Sequence, residues 1–395
     1  LSPILQDKGT DMPVTHSLIS GLLMLSVLFT QWCVINIEEN QFEELDFHPQ
    51  REMLGSFSPS QLSVATWNVE HLAYPIDTGC KPRTESDINA MREYVNNVDA
   101  DVFALQEVAS EQAVRLLFPT DTWQVLMSPR PDSETYECRG SGRESTQQKI
   151  AYAVKNGINI NSVKGLSELG LNNPGLRYGL ELTIQSELGA IKLLNVHMKS
   201  GCFVDNYSRS DRESCQTFAQ QAPILDAWVE TQESEDIQYV LLGDFNHRLS
   251  APYNHLTRQL MTNSDGSEST LYNTTGQLIG CHPYYPAPID LVFVGGMSDN
   301  KYDYTYQAHT FNNMAPKAML SNHCAVSLQI GARRARPRAV YRHQVGGDVC
   351  KGKKRKVSKG PRAGSRNTQG LGTRLQGEET RGPEGPERLL YKNTR

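Results

Sequence analysis

Short apolar runs recur through the middle of this chain, and each ends or opens on a polar side chain. Residues 239–242 (YVLL) run into GDFN, 62–67 (LSVATW) into Asn68, 101–106 (DVFALQ) into Glu107, and 190–196 (AIKLLNV) into His197. Asp290 opens LVFV at 291–294, and His323 opens CAVSL at 324–328. Runs of this length, rich in Val, Leu and Ile, are predicted as buried strands. Between them, residues 85–98 carry Ile88, Met91, Tyr94 and Val95 at helical spacing. A second helix is predicted over 211–235, with Phe218, Ala222, Leu225 and Trp228 on its buried face. Those aromatic positions read as core, not as platforms for bases. Strands mixed with helices predict an α/β fold.

The polar groups at the strand ends carry the candidate chemistry. Asp244 and Asn246, two residues apart at the mouth of a buried strand, can hold a water and polarise an oxyanion. Singly, each group is more often a cap or a satisfied edge residue. Six of them, in six successive strand-end contexts, are hard to explain as caps.

Six motifs, in this order, resemble the endonuclease/exonuclease/phosphatase superfamily: ATWNVEHL (65–72), ALQEV (104–108), NVHMKSGC (195–202), LLGDFNHRL (241–249), IDLVFV (289–294) and SNHCAV (321–326). The resemblance spans residues 62–329. It implies a four-layered α/β sandwich, two packed mixed β-sheets flanked by helices, and metal-dependent hydrolysis of phosphodiesters. Glu107 would hold the metal, because an oxygen-rich site suits Mg²⁺, with Mn²⁺ or Ca²⁺ as alternatives. Asn68 would share that shell or touch the phosphate. Asp244 would position or deprotonate the water, and Asn246 would donate to the phosphate. His197 and His323 would donate to the scissile phosphate or transfer protons, with Asp290 orienting an imidazole. Arg177, in LRYGLEL, aligns with a phosphate-binding arginine. Lys199, two residues past His197, shares its face if the strand continues.

Two departures stand out. Asn322 occupies a position where the superfamily has Asp, so a second metal site there would be weaker. Ile150 stands where the deoxyribonuclease branch has a tyrosine, and Tyr152 either compensates or packs. NVHMKSGC together with GCKPR (79–83) is most similar to a bacterial secreted-nuclease branch.

Charge sharpens the domain picture. Residues 332–395 hold 18 Lys and Arg against 5 Asp and Glu, leaving 21 basic and 39 acidic residues in the rest of a chain whose net charge is −5. An acidic body is unlike a passive nucleic-acid binder and suits an enzyme that meets polyanions through cations and a few placed basic groups. Solubility alone also accounts for the acid excess. Residues 62–331 therefore form the predicted catalytic domain. The basic stretch beyond reads as a disordered tail, whose KGKKRKVSK segment (351–359) is given no function.

Residues 1–34 contain an apolar core at 18–29, of signal-peptide length if Met12 is the start, with an uncleaved anchor as the alternative. Residues 35–61 read as an acidic linker. Cys202 and Cys215 bracket a polar loop and are predicted to pair. Cys80 and Cys138 lie in the long polar loops 74–84 and 129–148, which are expected to rim the cleft. Such cysteines suit an oxidising compartment; Cys281 and Cys324 are less readable, with Cys324 expected in its strand. The reading is a secreted or periplasmic monomeric nuclease acting on DNA, RNA or both, without a stable membrane partner unless the anchor is retained. A phosphomonoesterase or phospholipase of the same fold is the alternative, with a non-catalytic binding module third. No aromatic-rich hairpin for membrane insertion stands out, which weakens the lipase alternative.

Overall fold

A computed structural model describes residues 61–298 and 300–333. The apolar segment at 1–34, the linker up to residue 60 and the tail beyond residue 333 lie outside these residues. The described chain runs β1 (Gln61–Leu72), α1 (Glu85–Val98), β2 (Val102–Val108), α2 (Glu111–Arg115), β3 (Trp123–Met127), the short β4 (Glu137–Cys138) and β5 (Arg143–Glu144), β6 (Lys149–Lys155), β7 (Asn159–Leu166), β8 (Gly179–Ser186) and β9 (Gly189–His197). It continues through α3 (Glu213–Ser234), β10 (Tyr239–Asp244), α4 (His255–Leu260), β11 (Tyr272–Asn273), β12 (Asp290–Gly295), β13 (Tyr302–His309) and β14 (Ala325–Ala332).

Two six-stranded sheets result, ordered β13-β14-β1-β2-β6-β3 and β11-β12-β10-β9-β8-β7. Each is mixed, and each contains one parallel pair near its centre: β1 with β2, and β9 with β10. A parallel pair requires a crossover connection. Helix α1 supplies it in the first sheet and α3 in the second. Thr84 caps α1: its hydroxyl accepts from Asp87 N at 3.1 Å, while Asp87 Oδ2 accepts from Thr84 N at 2.8 Å.

The side-chain period of two sorts each strand between two cores. Val64 of β1 faces the second sheet, packing in a cluster with Leu182, Leu193, Val240 and Val292. Its neighbours Ala65 and Trp67 face outward onto Ile88 and Met91 of α1. On the other side, Leu194, Leu241 and Phe293 pack against Phe218 and Leu225 of α3. The layers are thus helix, sheet, sheet, helix. Tyr152 is wholly buried between the sheets, in the same cluster as Ile150, so it packs.

One polar staple crosses the inter-sheet core. Gln106 Nε2 donates to Asn195 Oδ1 at 2.8 Å, and Asn195 Nδ2 donates to the carbonyls of Leu105 at 3.1 Å and Ala151 at 3.0 Å. Buried amides are costly unless satisfied. Satisfied here, they fix the sheets to each other just below the strand ends that carry the polar groups.

Candidate active site

The site follows from the two parallel pairs, because their carboxyl ends lie on one edge of the sandwich. In register, Asn68 is opposite Gln106 across β1 and β2, and Asp244 is opposite both His197 of β9 and Asp290 of β12. His323, just before β14, is pinned to β1 from two directions. Trp67 Nε1 donates to the His323 carbonyl at 3.0 Å, and Ser321 Oγ donates to the Asn68 carbonyl at 2.7 Å.

Two backbone departures aim the side chains. Glu107 has φ +62°, uncommon for a residue other than glycine. It falls where the register of β2 slips against β6, between Gln106 and Val108. Such a bulge leaves one residue unpaired and redirects its side chain. Gly243 is the second: a Cβ there would stand 2.1 Å from the Val196 carbonyl oxygen, and its φ is +144°. Only glycine lets β10 approach β9 closely enough to set Asp244 beside His197.

On the side of Glu107, the partners are neutral donors. Its carboxylate accepts from Asn68 Nδ2 at 3.3 Å, His71 N at 3.2 Å and Gln148 Nε2 at 3.1 Å. The imidazoles of His71 and His197 approach to 3.6 and 3.8 Å. Burial drives both imidazoles to the neutral form, His197 down to about 3. Burial alone would raise Glu107, but the surrounding imidazoles and Arg177 outweigh it and hold the carboxyl at about 2. With His71 and His197 neutral, the lasting positive charges near Glu107 are those of Arg177 and His323, and the three N–H donors also favour the carboxylate. Arg177 reaches Glu107 through Gln148, donating from Nη2 to Gln148 Oε1, while its Nε is buried without an acceptor.

On the side of Asp290, charges pair directly. His323 Nδ1 donates to Asp290 Oδ2 at 2.8 Å, and its Nε2 stands 3.8 Å from Asp244 Oδ2. Burial would lower the imidazole, yet Asp290 and Asp244 overcome it and raise it well above its ordinary value. Asp244 is raised by its own burial, against the pull of His323. It accepts from Asn246 N at 2.8 Å and from Asn68 Nδ2 at 3.0 Å, with His197 Nε2 at 3.5 Å. Asn246 spends one amide proton on the Met198 carbonyl at 3.2 Å and keeps the other.

The donor sets differ in what they can hold. Asp244, Asp290 and His323 place one ligand atom each within 4.8 Å of the others, an acidic and histidine set with the spacing of a metal site. There His323 Nδ1 already bonds Asp290 Oδ2 at 2.8 Å. In the other set, Glu107 is the harder, oxygen-only donor, with no cation in direct contact among the described residues, while Asn68 turns its Nδ2 to that carboxylate and its Oδ1 to Glu70 N at 3.0 Å, so its amide would have to turn to add an oxygen ligand. That set fits a divalent ion such as Mg²⁺.

The structure thus brings Asn68, Glu107, Arg177, His197, Asp244, Asn246, Asp290 and His323 around one cleft. Lys199 and Asn322 stand at its margin. Strand β9 ends at His197, so the continuing strand that placed Lys199 on the same face is absent, and Lys199 Nζ bonds the Ser200 carbonyl at 2.9 Å. Asn322 is exposed, and its backbone N–H bonds Glu70 Oε2 at 2.8 Å. His71 and Gln148 are the residues that sequence reasoning passed over. Loops 74–84 and 129–148 are joined by the Cys80–Cys138 disulfide. Residues of the second line a cavity of about 500 Å³ that reaches Gln148 and Arg177.

The sequence model of the Endonuclease/Exonuclease/phosphatase family matches residues 65–304. The chain belongs to this family. Solved structures similar to this chain include truncated Caenorhabditis elegans TDP2, 16% identical over 69% of this chain and 98% of that one, with a TM-score of 0.46. The human Nocturnin catalytic domain with bound sulfate is 13% identical over 69% and 94%, with a TM-score of 0.49. A Bacteroides thetaiotaomicron endonuclease/exonuclease/phosphatase family protein is 14% identical over 69% and 98%, with a TM-score of 0.46. No curated protein matches the chain in sequence.

Proposed function

We propose that this protein is a divalent-metal-dependent phosphodiesterase that cleaves nucleic acid, acting outside the reducing cytoplasm as a secreted nuclease. The observation that supports the reading is the Asn68 amide shared by Glu107 and Asp244, which sets two carboxylates side by side at 3.3 and 3.0 Å from one nitrogen. Glu107 and Asn68 would hold the cation, which supplies charge neutralisation at the phosphate when bound. Asp244 Oδ2 takes the proton of the attacking water as its oxygen bonds to phosphorus. His323 Nε2, oriented through Nδ1 by Asp290, returns a proton to the leaving oxygen as the P–O bond breaks. Arg177, with its unpaired Nε, and the free amide proton of Asn246 meet the phosphate oxygens. His197, neutral and buried, donates or accepts at Nε2 between Glu107 and Asp244.

Three disulfides, Cys80–Cys138, Cys202–Cys215 and Cys281–Cys324, support an oxidising destination. Among the described residues no helix is long and apolar enough to cross a membrane. Full-length protein with Mg²⁺ should be tested on plasmid, linear DNA, RNA, an inositol phosphate and sphingomyelin. Cleavage of nucleic acid that stops in chelator is the expected result. Turnover confined to the inositol phosphate or to sphingomyelin would overturn the substrate assignment.

A further inference from the structure

Beyond Asp290 and His323 the cleft widens into a cavity of about 530 Å³, whose wall includes Phe203, Arg248, His282, Tyr284 and Tyr285. Phe203, Tyr284 and Tyr285 are 49%, 72% and 66% exposed, an unusual gathering of ring surface in water. These rings are nonetheless anchored. Phe203 follows Cys202, which is bonded to Cys215; His282 follows Cys281, which is bonded to Cys324, the residue after His323. Inside the loop, Gly280 N donates to the Pro286 carbonyl at 2.7 Å and Tyr285 N to the His282 carbonyl at 2.9 Å. The His282 ring lies 5.4 Å from that of Tyr284 and 5.0 Å from that of Tyr285.

We propose that this cavity is a stacking subsite for an unpaired nucleobase attached to the phosphate being cleaved, which gives the enzyme a preference for single-stranded over paired nucleic acid. The proposal rests on the nucleic-acid reading above. Continuity limits the occupant: Asp290, Asn246 and His323 line the same cavity, so whatever fills it adjoins the reacting phosphodiester. The wall chemistry narrows it further. Ring faces with hydroxyl, imidazole and guanidinium groups at their edges match a flat heterocycle that stacks and accepts hydrogen bonds. A membrane-inserting surface would instead carry a rim of several Lys and Arg beside its apolar side chains, and this wall, whose apolar members include Pro286, Ala287 and Ile289, has one Arg. A base within a duplex keeps its own stacking partners and offers no free face.

The test compares full-length wild type, Phe203→Ala, the double variant Tyr284→Ala/Tyr285→Ala and the ring-retaining Tyr284→Phe/Tyr285→Phe. Substrates are one DNA oligonucleotide single-stranded, the same sequence as a duplex, and the single strand with abasic sites throughout. Binding to phosphatidylcholine/sphingomyelin vesicles is measured in parallel. Each alanine variant should lose about 10-fold in kcat/KM on the single strand, through KM, with kcat kept. The Phe variant should match wild type, and the abasic strand should be cut equally poorly by all four. An unchanged single-strand KM in active alanine variants overturns the subsite alone. Loss of vesicle binding with KM unchanged overturns it in favour of a membrane contact. A wild type inactive on every nucleic acid overturns the nuclease reading, and the subsite with it.

Discussion

The two sides of the cleft hold negative charge in opposite ways. Around Glu107 the partners within bonding distance are neutral amide donors, with Arg177 one residue removed behind Gln148. Around Asp290 the partner is an imidazole whose proton affinity the two aspartates raise. The first arrangement leaves a carboxylate that is ionised and uncompensated at close range, so an external cation gains most there. The second has its counter-charge built in and holds a proton ready to move. On the proposed function, one sandwich edge would thereby separate cation binding from proton transfer, using the same residue types.

Substitutions can break this division. The largest effect should come from Glu107→Gln, which keeps shape but removes the charge the cation needs. Several kcal/mol of transition-state stabilisation are lost with it, about 10³-fold in turnover at fixed Mg²⁺. Steady-state rates at rising Mg²⁺ check this; near wild-type turnover would remove Glu107 from the metal. His323→Ala should cost about 10²-fold, the scale of an acid–base group, without moving the Mg²⁺ concentration for half-maximal rate. A large shift in that concentration would place the cation on the histidine side.

A weaker break targets the relay. Gln148→Leu strips Arg177 of its side-chain acceptor, leaving the Gly175 carbonyl at 3.4 Å, and strips Glu107 of one donor, and bonds to charged groups contribute about 1.5–3 kcal/mol. KM for oligonucleotide should rise about 10-fold with the fold intact by circular dichroism; an unchanged KM would show that Arg177 needs no positioning. The smallest effect should come from Asn322→Asp. Its added charge is exposed, so it contributes under about 1 kcal/mol. The half-maximal Mg²⁺ concentration should fall by about two- to fivefold, and a rise would mean that position 322 does not face the cation.

What the sequence revealed of this comparison, and what it hid, has a physical pattern. The apolar runs ending in Asn68, Glu107, His197 and Asp244 form strands with their polar ends on one edge, because strands buried on both faces admit few polar residues except at their ends. Helix α1 matches its period over 85–98, while α3 starts at Glu213, after Arg212, and ends at Ser234. His71 was hidden because Glu70 and His71 adopt φ of +49° and +57°, which breaks the alternation a strand reading assumes. Gln148 was hidden in the polar run before β6, where its nearest signal is position and not type. Lys199 was placed by a period of two that ends with β9. The Cys281–Cys324 bridge joins residues 43 apart through the closure of the sandwich, and Cys324 lies just ahead of β14. Nothing local in the chain encodes that closure, and the aromatic loop it anchors was correspondingly overlooked.

The proposed cation site lies at Glu107 and Asn68, not at Asp290 and His323. Mn²⁺ binding, followed by electron paramagnetic resonance with wild type, Glu107→Gln and Asp290→Asn and no substrate present, addresses it without relying on turnover. One site is expected in wild type, with affinity close to wild type in Asp290→Asn and loss of the site in Glu107→Gln. Retained binding in Glu107→Gln together with loss in Asp290→Asn would contradict it.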